Sequence, residues 1–415
     1  MPDAQIKNDP MASVRIPEFK FLMLGRYTFV MSLRMMSTVL GWWIYLLTRD
    51  PFAIGLLGLS EVIPAISLAL YAGHFIDLHE KKRLILRGLI LYTTCAILLF
   101  LFSTSFTSSH LSNHGIALCI YFIIFCTGII RAFVGPVFNV LLAYIVPKNY
   151  LQNATTWSQG TWLGASVSGH ATGGFLIALI GISGTLLTII CLMTLSFIFL
   201  TKLKRKPPTE NPGEKRTWES VKEGLRFVYK TKELLGAITL DMFAVFFGGA
   251  AAMIPVYAKD ILNIGAEGFG WLNASTDLGS ICSVILLTIA PMQAKQGKKL
   301  FFAVAGFGIC VMVFAFSKSF WLSFGALVIS GMLDGISVVV RGTIMQLKTP
   351  DNMRGRVLSV NSMFINSSNE LGQFESGIAA KLFGVVPSVF FGGCLTLIVV
   401  VTTWFKAPAL RKMEY

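Results

Sequence analysis

Charge is what this chain has least of. Only 13% of its 415 residues are Asp, Glu, Lys or Arg, about half the roughly 25% usual in soluble domains, so a soluble enzyme is excluded. Metal-binding and catalytic patterns are also missing. There is no H-E-x-x-H, no G-x-S-x-G and no phosphate-cradling G-x-x-x-x-G-K, so a zinc protease, a serine hydrolase and an ATP-driven pump each lack their signature. No enzyme, cofactor or metal is expected. The seven cysteines (95, 119, 126, 191, 282, 310 and 394) are odd in number, sit in apolar runs and lack ligand spacing. They read as small core residues, without disulfides. The first twenty residues, MPDAQIKNDPMASVRIPEFK, lack the apolar core of a secretory signal, which predicts a cytoplasmic N-terminus.

What fills the chain is apolar surface: 54% hydrophobic residues and a mean hydropathy of +0.69. Runs near the ~20 residues that cross a bilayer recur from end to end. Twelve spans are predicted, at 21–46, 53–77, 84–103, 115–146, 156–180, 184–201, 235–258, 267–290, 299–317, 319–346, 357–381 and 386–405. The fold class is an all-α membrane protein. The net charge of +14 could suggest nucleic acid, but its distribution argues otherwise. With the N-terminus inside, the cytoplasmic segments hold twenty-seven Lys and Arg, against Arg49, Lys259 and Lys318 opposite. That bias is the positive-inside rule; no nucleic-acid partner is needed.

Segment 202–234 is charged and proline-containing. Its first half reads as a linker. Its second half repeats Trp218, Val221, Leu225 and Val228 at the spacing of a helix lying on the membrane. It divides the chain into residues 1–201, the linker 202–234, and residues 235–415. The two large parts match each other at an offset of 203: Pro147, Asn149, Gly169, Gly174 and Gly181 fall on Pro350, Asn352, Gly372, Gly377 and Gly384. SGHATGG (168–174) lies over LGQFESG (371–377), with His170 on Gln373. Two pseudo-symmetric six-helix bundles are expected, with a binding site between them near the midplane.

The loop after the second span, GHFIDLHEKKRLI (73–85), joins Gly73 and Asp77 to the cations Lys81, Lys82 and Arg83. It resembles the G-x-L-x-D-R-x-G-R-R signature of the major facilitator superfamily, with Leu78 in place of the Arg and Glu80 in place of the second Gly. RAFVGP (131–136) is similar to that family's R-x-x-x-G element. LDMFAVFFGGAAAMIPVYAKDIL (240–262) and RGRVLSVNSMFINSSNELGQFESG (354–377) look like the branch containing the enterobactin exporter. The resemblance implies a monomeric secondary transporter of a bacterial inner membrane, both termini cytoplasmic, with a small-molecule substrate, protons and the lipid bilayer as its partners. It implies proton-coupled export of small amphiphilic or siderophore-like compounds by alternating access. Broad multidrug efflux and proton-coupled uptake of a metabolite are the alternatives. It also aligns Gly169, His170, Gly173 and Gly174 with an antiporter signature, His170 taking the proline position.

Ionisable residues at membrane depth mark a pathway or a buried pair. Here they are Arg34, Glu61, Arg131, Asp241, Asp277, Asp334, Arg341, Glu370 and Glu375. Arg34 shares a stripe with Tyr27, Met31 and Thr38, which predicts a cavity-facing position. Arg131 is open between proton coupling and helix bracing, and Asp334 and Arg341, seven apart, could balance each other. Asp241 reads as a gate or cap. Glu370 and Glu375 follow the polar run NSMFINSSN, so the eleventh span is expected to line the cavity. His170 and Asp277 each lie about ten residues from one membrane face, roughly 15 Å deep at 1.5 Å per residue. They are expected either to meet as a pH-sensitive latch, with Gln373 near Glu61 as counterpart, or to leave His170 neutral in a packed seam. Tyr27, Trp42, Trp43, Tyr45, Phe133, Phe138 and Phe247 are candidate cavity aromatics. His110 and His114 read as solvated rather than metal-binding.

Overall fold

The computed structural model describes residues 11–205, 218–290, 292, 294–350 and 353–414. The predicted spans form as long helices. They are α1 (Pro17–Thr48), α2 (Pro51–Leu78), α3 (Lys81–Phe102) and α4 (Asn113–Ile145). Then come α5 and α6, the two arms of Leu151–Thr201 on either side of Gly181, and α7 (Lys232–Ile261). The series ends with α8 (Gly265–Ile289), α9 (Gln296–Phe316), α10 (Phe320–Lys348), α11 (Arg354–Phe383) and α12 (Val385–Lys406). The chain is an all-α membrane protein of twelve crossings in two pseudo-symmetric sets of six. Successive helices alternate direction, so both chain ends lie at one end of the molecule, here the near end.

Three boundaries differ from expectation for backbone reasons. No loop separates α5 from α6: the chain turns at Gly181 alone, with φ 72° and ψ −178°. Its repeat partner Gly384, between α11 and α12, has φ 91° and ψ 158°. That region of backbone space is open in practice only to glycine. α7 is not continuous either. Its regular part stops at Phe247, and a 3-10 turn (Ala250–Met253) and a π turn (Tyr257–Ile261) follow. The break sits at Gly248–Gly249, where a Cβ on Gly249 would lie 2.8 Å from the Gly372 carbonyl of α11. A short helix, Ser105–His110, also interrupts the α3–α4 loop.

The helix Trp218–Lys230 forms as its spacing predicts, and part of its apolar face packs on protein. Val221 and Val228 are buried in the cluster that holds Leu234, Val357 and Val360. A Cβ on Gly224 would meet the Arg356 carbonyl at 3.1 Å, and Glu223 pairs with Arg356 at 2.7 Å. The glycine lets this helix approach α11 closely enough to bury Val221 and Val228, while Leu225 stays exposed. The side chain of Trp218 lies outside the described residues.

The two sets meet through α5 against α8 and α2 against α11. Small residues make both contacts possible, because without a Cβ two backbones can touch. A Cβ on Gly174 would lie 2.5 Å from the Ala266 carbonyl and the Gly270 Cα, and one on Gly377 would lie 3.0 Å from the Gly55 Cα. Further links follow at the far end: Trp42 stacks on Phe269 at 5.2 Å, Tyr45 donates to Asp260, and Lys381 pairs with Asp50 at 2.7 Å. At the near end, two polar contacts among the described residues each lie within one set. Lys82 donates to the Thr201 and Leu203 carbonyls at 2.7 and 2.5 Å, capping α6, and Lys348 pairs with Glu233 at 3.2 Å. The molecule is closed at its far end.

Replacing Gly181 or Gly384 with alanine is expected to lower stability by about 1–3 kcal/mol, the penalty for a Cβ in that backbone region. Gly160→Ala, at a helical site with open space around it, is expected to be neutral or slightly stabilising. Thermal unfolding in detergent, followed by tryptophan fluorescence, measures all three.

Candidate functional site

Three groups of charges stand at mid-membrane depth, and each is built by a helix crossing. The first spans the two sets. Arg131 on α4 donates through Nη1 to Glu61 Oε1 on α2 at 2.7 Å and to Glu370 Oε1 on α11 at 3.2 Å. Gln373, one turn beyond Glu370, donates to its Oε2 at 3.2 Å and packs on the Gly58 position of α2. The Arg131 side chain is 40% exposed and that of Glu61 29%. In the middle of a helical bundle such exposure is to an internal gap, not to lipid. Glu375 is half-buried on the next turn of α11.

The second group also joins the sets. Ser166 on α5 donates to Asp277 Oδ2 on α8 at 2.5 Å, and His170 Nε2 stands 3.8 Å from the same oxygen. His170 Nδ1 lies 2.8 Å from the Thr38 hydroxyl, which also lies 3.0 Å from the Arg34 carbonyl. His170 therefore touches α1, α5 and α8 together and is buried. If Thr38 donates to the Arg34 carbonyl, it accepts from Nδ1–H, and a neutral ring then turns its Nε2 lone pair toward Asp277. In that tautomer a lone pair faces the carboxylate at 3.8 Å, beyond hydrogen-bond distance, so no hydrogen bond joins the ring to Asp277.

The third group lies within the second set. Arg341 on α10 makes its close ion pair with Asp241 on α7 and a looser one, at 3.8 Å, with Asp334. The expected balance of Arg341 by Asp334 is thus the weaker contact. Seven residues put the two on one face, but Asp241 comes closer from the neighbouring helix, and both members of that pair are under a tenth exposed. An apolar cavity of about 390 Å³ lies apart from all three groups, between the helix Trp218–Lys230, α7 and α11.

The remaining candidates are placed as follows. Arg34 is half-buried on α1, its guanidinium 5.1 Å from the ring centroid of Trp162 on α5. Trp162 had no signal in the sequence, because a lone tryptophan in an apolar span is indistinguishable from a core residue. Gly73 and Asp77 lie in α2, but their side chains fall outside the described residues, as does that of Asn366. Arg83 pairs with Glu80 at 2.9 Å. Gly169 and Gly173 pack on α1, with Cβ positions 2.7 Å from the Met31 carbonyl and 3.2 Å from the Met35 Cα. Several candidate cavity aromatics are core instead: Trp42, Trp43, Tyr45 and Phe138 are buried, Phe138 stacked on Phe29. Their rings fill the space between helices more fully than any polar neighbour could. Among the described residues no cluster of three or more metal-ligating side chains occurs.

Two six-helix sets around a charged central gap define a multi-pass membrane transporter. Comparison with known proteins gives the family: residues 21–373 match the Major Facilitator Superfamily, and the chain belongs to it. Among curated relatives, the enterobactin exporter EntS of Shigella dysenteriae is 23% identical over 352 residues, 82% of this chain and 80% of that one. The multidrug efflux pump Tap of Mycobacterium tuberculosis is 22% identical over 255 residues, 60% of each chain. Among solved structures, a POT family transporter in complex with 5-aminolevulinic acid superposes with a TM-score of 0.72 at 12% identity, covering 94% of this chain and 96% of the other. The nucleoside transporter NupG does so with a TM-score of 0.68 at 14% identity, covering 95% and 99%. At these identities the structures show a shared fold.

Arg341→Ala leaves Asp241 buried without its cation and is expected to destabilise the protein by about 3–5 kcal/mol. The double variant Arg341→Met, Asp241→Leu is expected to recover most of that loss. Thermal unfolding of the two proteins in the same detergent distinguishes a buried ion pair from a dispensable one.

Proposed function

We propose that this protein is a proton-coupled exporter of small amphiphilic or siderophore-like compounds. In this reading it works as a monomer by alternating access in a bacterial cytoplasmic membrane, with both termini in the cytoplasm. The observation that carries it is Arg131 held between Glu61 of its own set and Glu370 of the other. Protonating Glu370 removes one of the two charges on the link between sets, weakening it by a charge-assisted hydrogen bond, about 1.5–3 kcal/mol. A proton thereby changes the balance between closed and open arrangements, as coupling requires. The partial exposure of Arg131 and Glu61 supports access to that link from the gap.

Orientation is supported by the twenty-seven cations on the near-end segments against three opposite. On that assignment the far-end closure is an inward-open state. Export is supported by the resemblance to relatives named for enterobactin export and for multidrug efflux. The second of these keeps broad drug efflux as the competing reading.

The test is substrate-induced proton movement in proteoliposomes carrying a trapped pH dye, across catecholate siderophores and cationic drugs. Coupled flux with a catecholate is expected, and no flux with any compound overturns the reading. Glu370→Gln, a fixed mimic of the protonated acid, is expected to abolish proton movement while substrate exchange between the two sides continues.

A further inference from the structure

The ionisable groups at membrane depth are divided unevenly between the two sets. The first contributes Arg34, Arg131 and His170 with one acid, Glu61. The second contributes Asp241, Asp277, Asp334, Glu370 and Glu375 with one guanidinium, Arg341. Arg131 and Arg341 are each held by two carboxylates. Arg34 is different. It makes no ion pair with a described carboxylate, although it lies within electrostatic range of His170, Asp277 and Glu370.

A cation at this depth that makes no close ion pair among the described residues is expensive and marks a pathway. Its surroundings suit an incoming anion. Contact with the Trp162 ring stabilises the guanidinium by cation–π attraction and fixes its plane. The N–H edge is then free to form two parallel bonds to a carboxylate or a similar planar anion. Two helical turns back on the same face of α1, seven residues before Arg34, the Tyr27 hydroxyl meets the Ser168 hydroxyl at 2.8 Å. Trp162 and Tyr27 are both half-buried, leaving aromatic surface beside the charge.

We propose that Arg34, Trp162, Tyr27 and Ser168 form a binding subsite for planar aromatic anions, with Arg34 pairing the anionic group and Trp162 and Tyr27 taking the ring. This rests on the transporter reading and narrows it: substrate anions are held by the first set, while the acids that carry protons belong mainly to the second. A cationic drug would meet Arg34 as a like charge.

The test measures binding, which requires no proton gradient and so can fail independently of coupled flux. Full-length protein in lipid nanodiscs is titrated calorimetrically with 2-naphthoate and with its neutral analogue 2-naphthamide. The wild type is expected to bind naphthoate about tenfold or more tightly than the amide, the size of one charge-assisted hydrogen bond. Arg34→Gln is expected to erase that preference while amide binding stays as in the wild type. Trp162→Leu is expected to weaken both probes equally. A wild type without the preference, or an Arg34→Gln protein that retains it, overturns the assignment. Should Arg34→Gln fail to fold, Arg34→Lys takes its place: a preference reduced several-fold is expected, since lysine lacks the two-pronged edge, and an unchanged preference overturns the subsite.

Discussion

The centre of this protein depends on backbones touching at two seams, α5 against α8 and α2 against α11. Gly174 meets Gly270 in one at distances that exclude a Cβ, and Gly377 meets Gly55 in the other at distances that leave a Cβ almost no room. These contacts bring Ser166 and His170 to Asp277, and Glu370 to Arg131. The seams at the glycines are made of packing rather than of hydrogen bonds, so the two sets can part without leaving backbone groups unsatisfied. The far-end ion pairs add little to closure. Arg49 and Asp260 are about half exposed, and such pairs contribute roughly 0–1 kcal/mol. Packing holds the far end shut.

The two strongly paired arginines do different things because of where their partners sit. Arg341 and Asp241 join α10 to α7 within one set, nearly dry, and lock that set internally. Arg131 faces the gap and reaches across it. A link between moving bodies must be breakable, and partial exposure keeps the alternative, hydrated state within reach. A link inside a rigid body gains from burial, because no transition has to break it.

Much of this was legible in the sequence. The repeat at offset 203 located the glycines, and the two corner glycines at 181 and 384 do adopt equivalent backbone conformations. Helical depth counting placed His170 level with Asp277, because 1.5 Å per residue holds along any regular helix. What periodicity could not give was the partner of a charge. Asp334 sits on the same face as Arg341, yet Asp241 wins by proximity across a helix pair, a fact of packing alone. The same limit hid Trp162 beside Arg34. It also hid the protein neighbour of Trp218–Lys230, where apolar spacing looks alike whether lipid or protein covers it, and only Gly224 hints at the approach to α11.

The repeat is most informative where it breaks. Gly169 and Gly372 occupy matching positions, and each packs on the first helix of its own set, Gly169 on Met31 and Arg34 of α1, Gly372 on Val245 and Phe246 of α7. α1 passes that crossing as an unbroken helix, whereas α7 loses its regular hydrogen bonding within a few residues, at Gly248–Gly249. α11 presses on one side of the break through Gly372, and α12 presses on the Phe247 carbonyl through Gly392. The first set thus presents an intact α1 with Arg34 half-buried on it. The second presents an interrupted α7 beside a polar α11 rich in carboxylates. A common ancestral layout accounts for the scaffold. Local departures from it, His170 opposite Gln373 and a broken α7 opposite a continuous α1, make the two sets physically unlike.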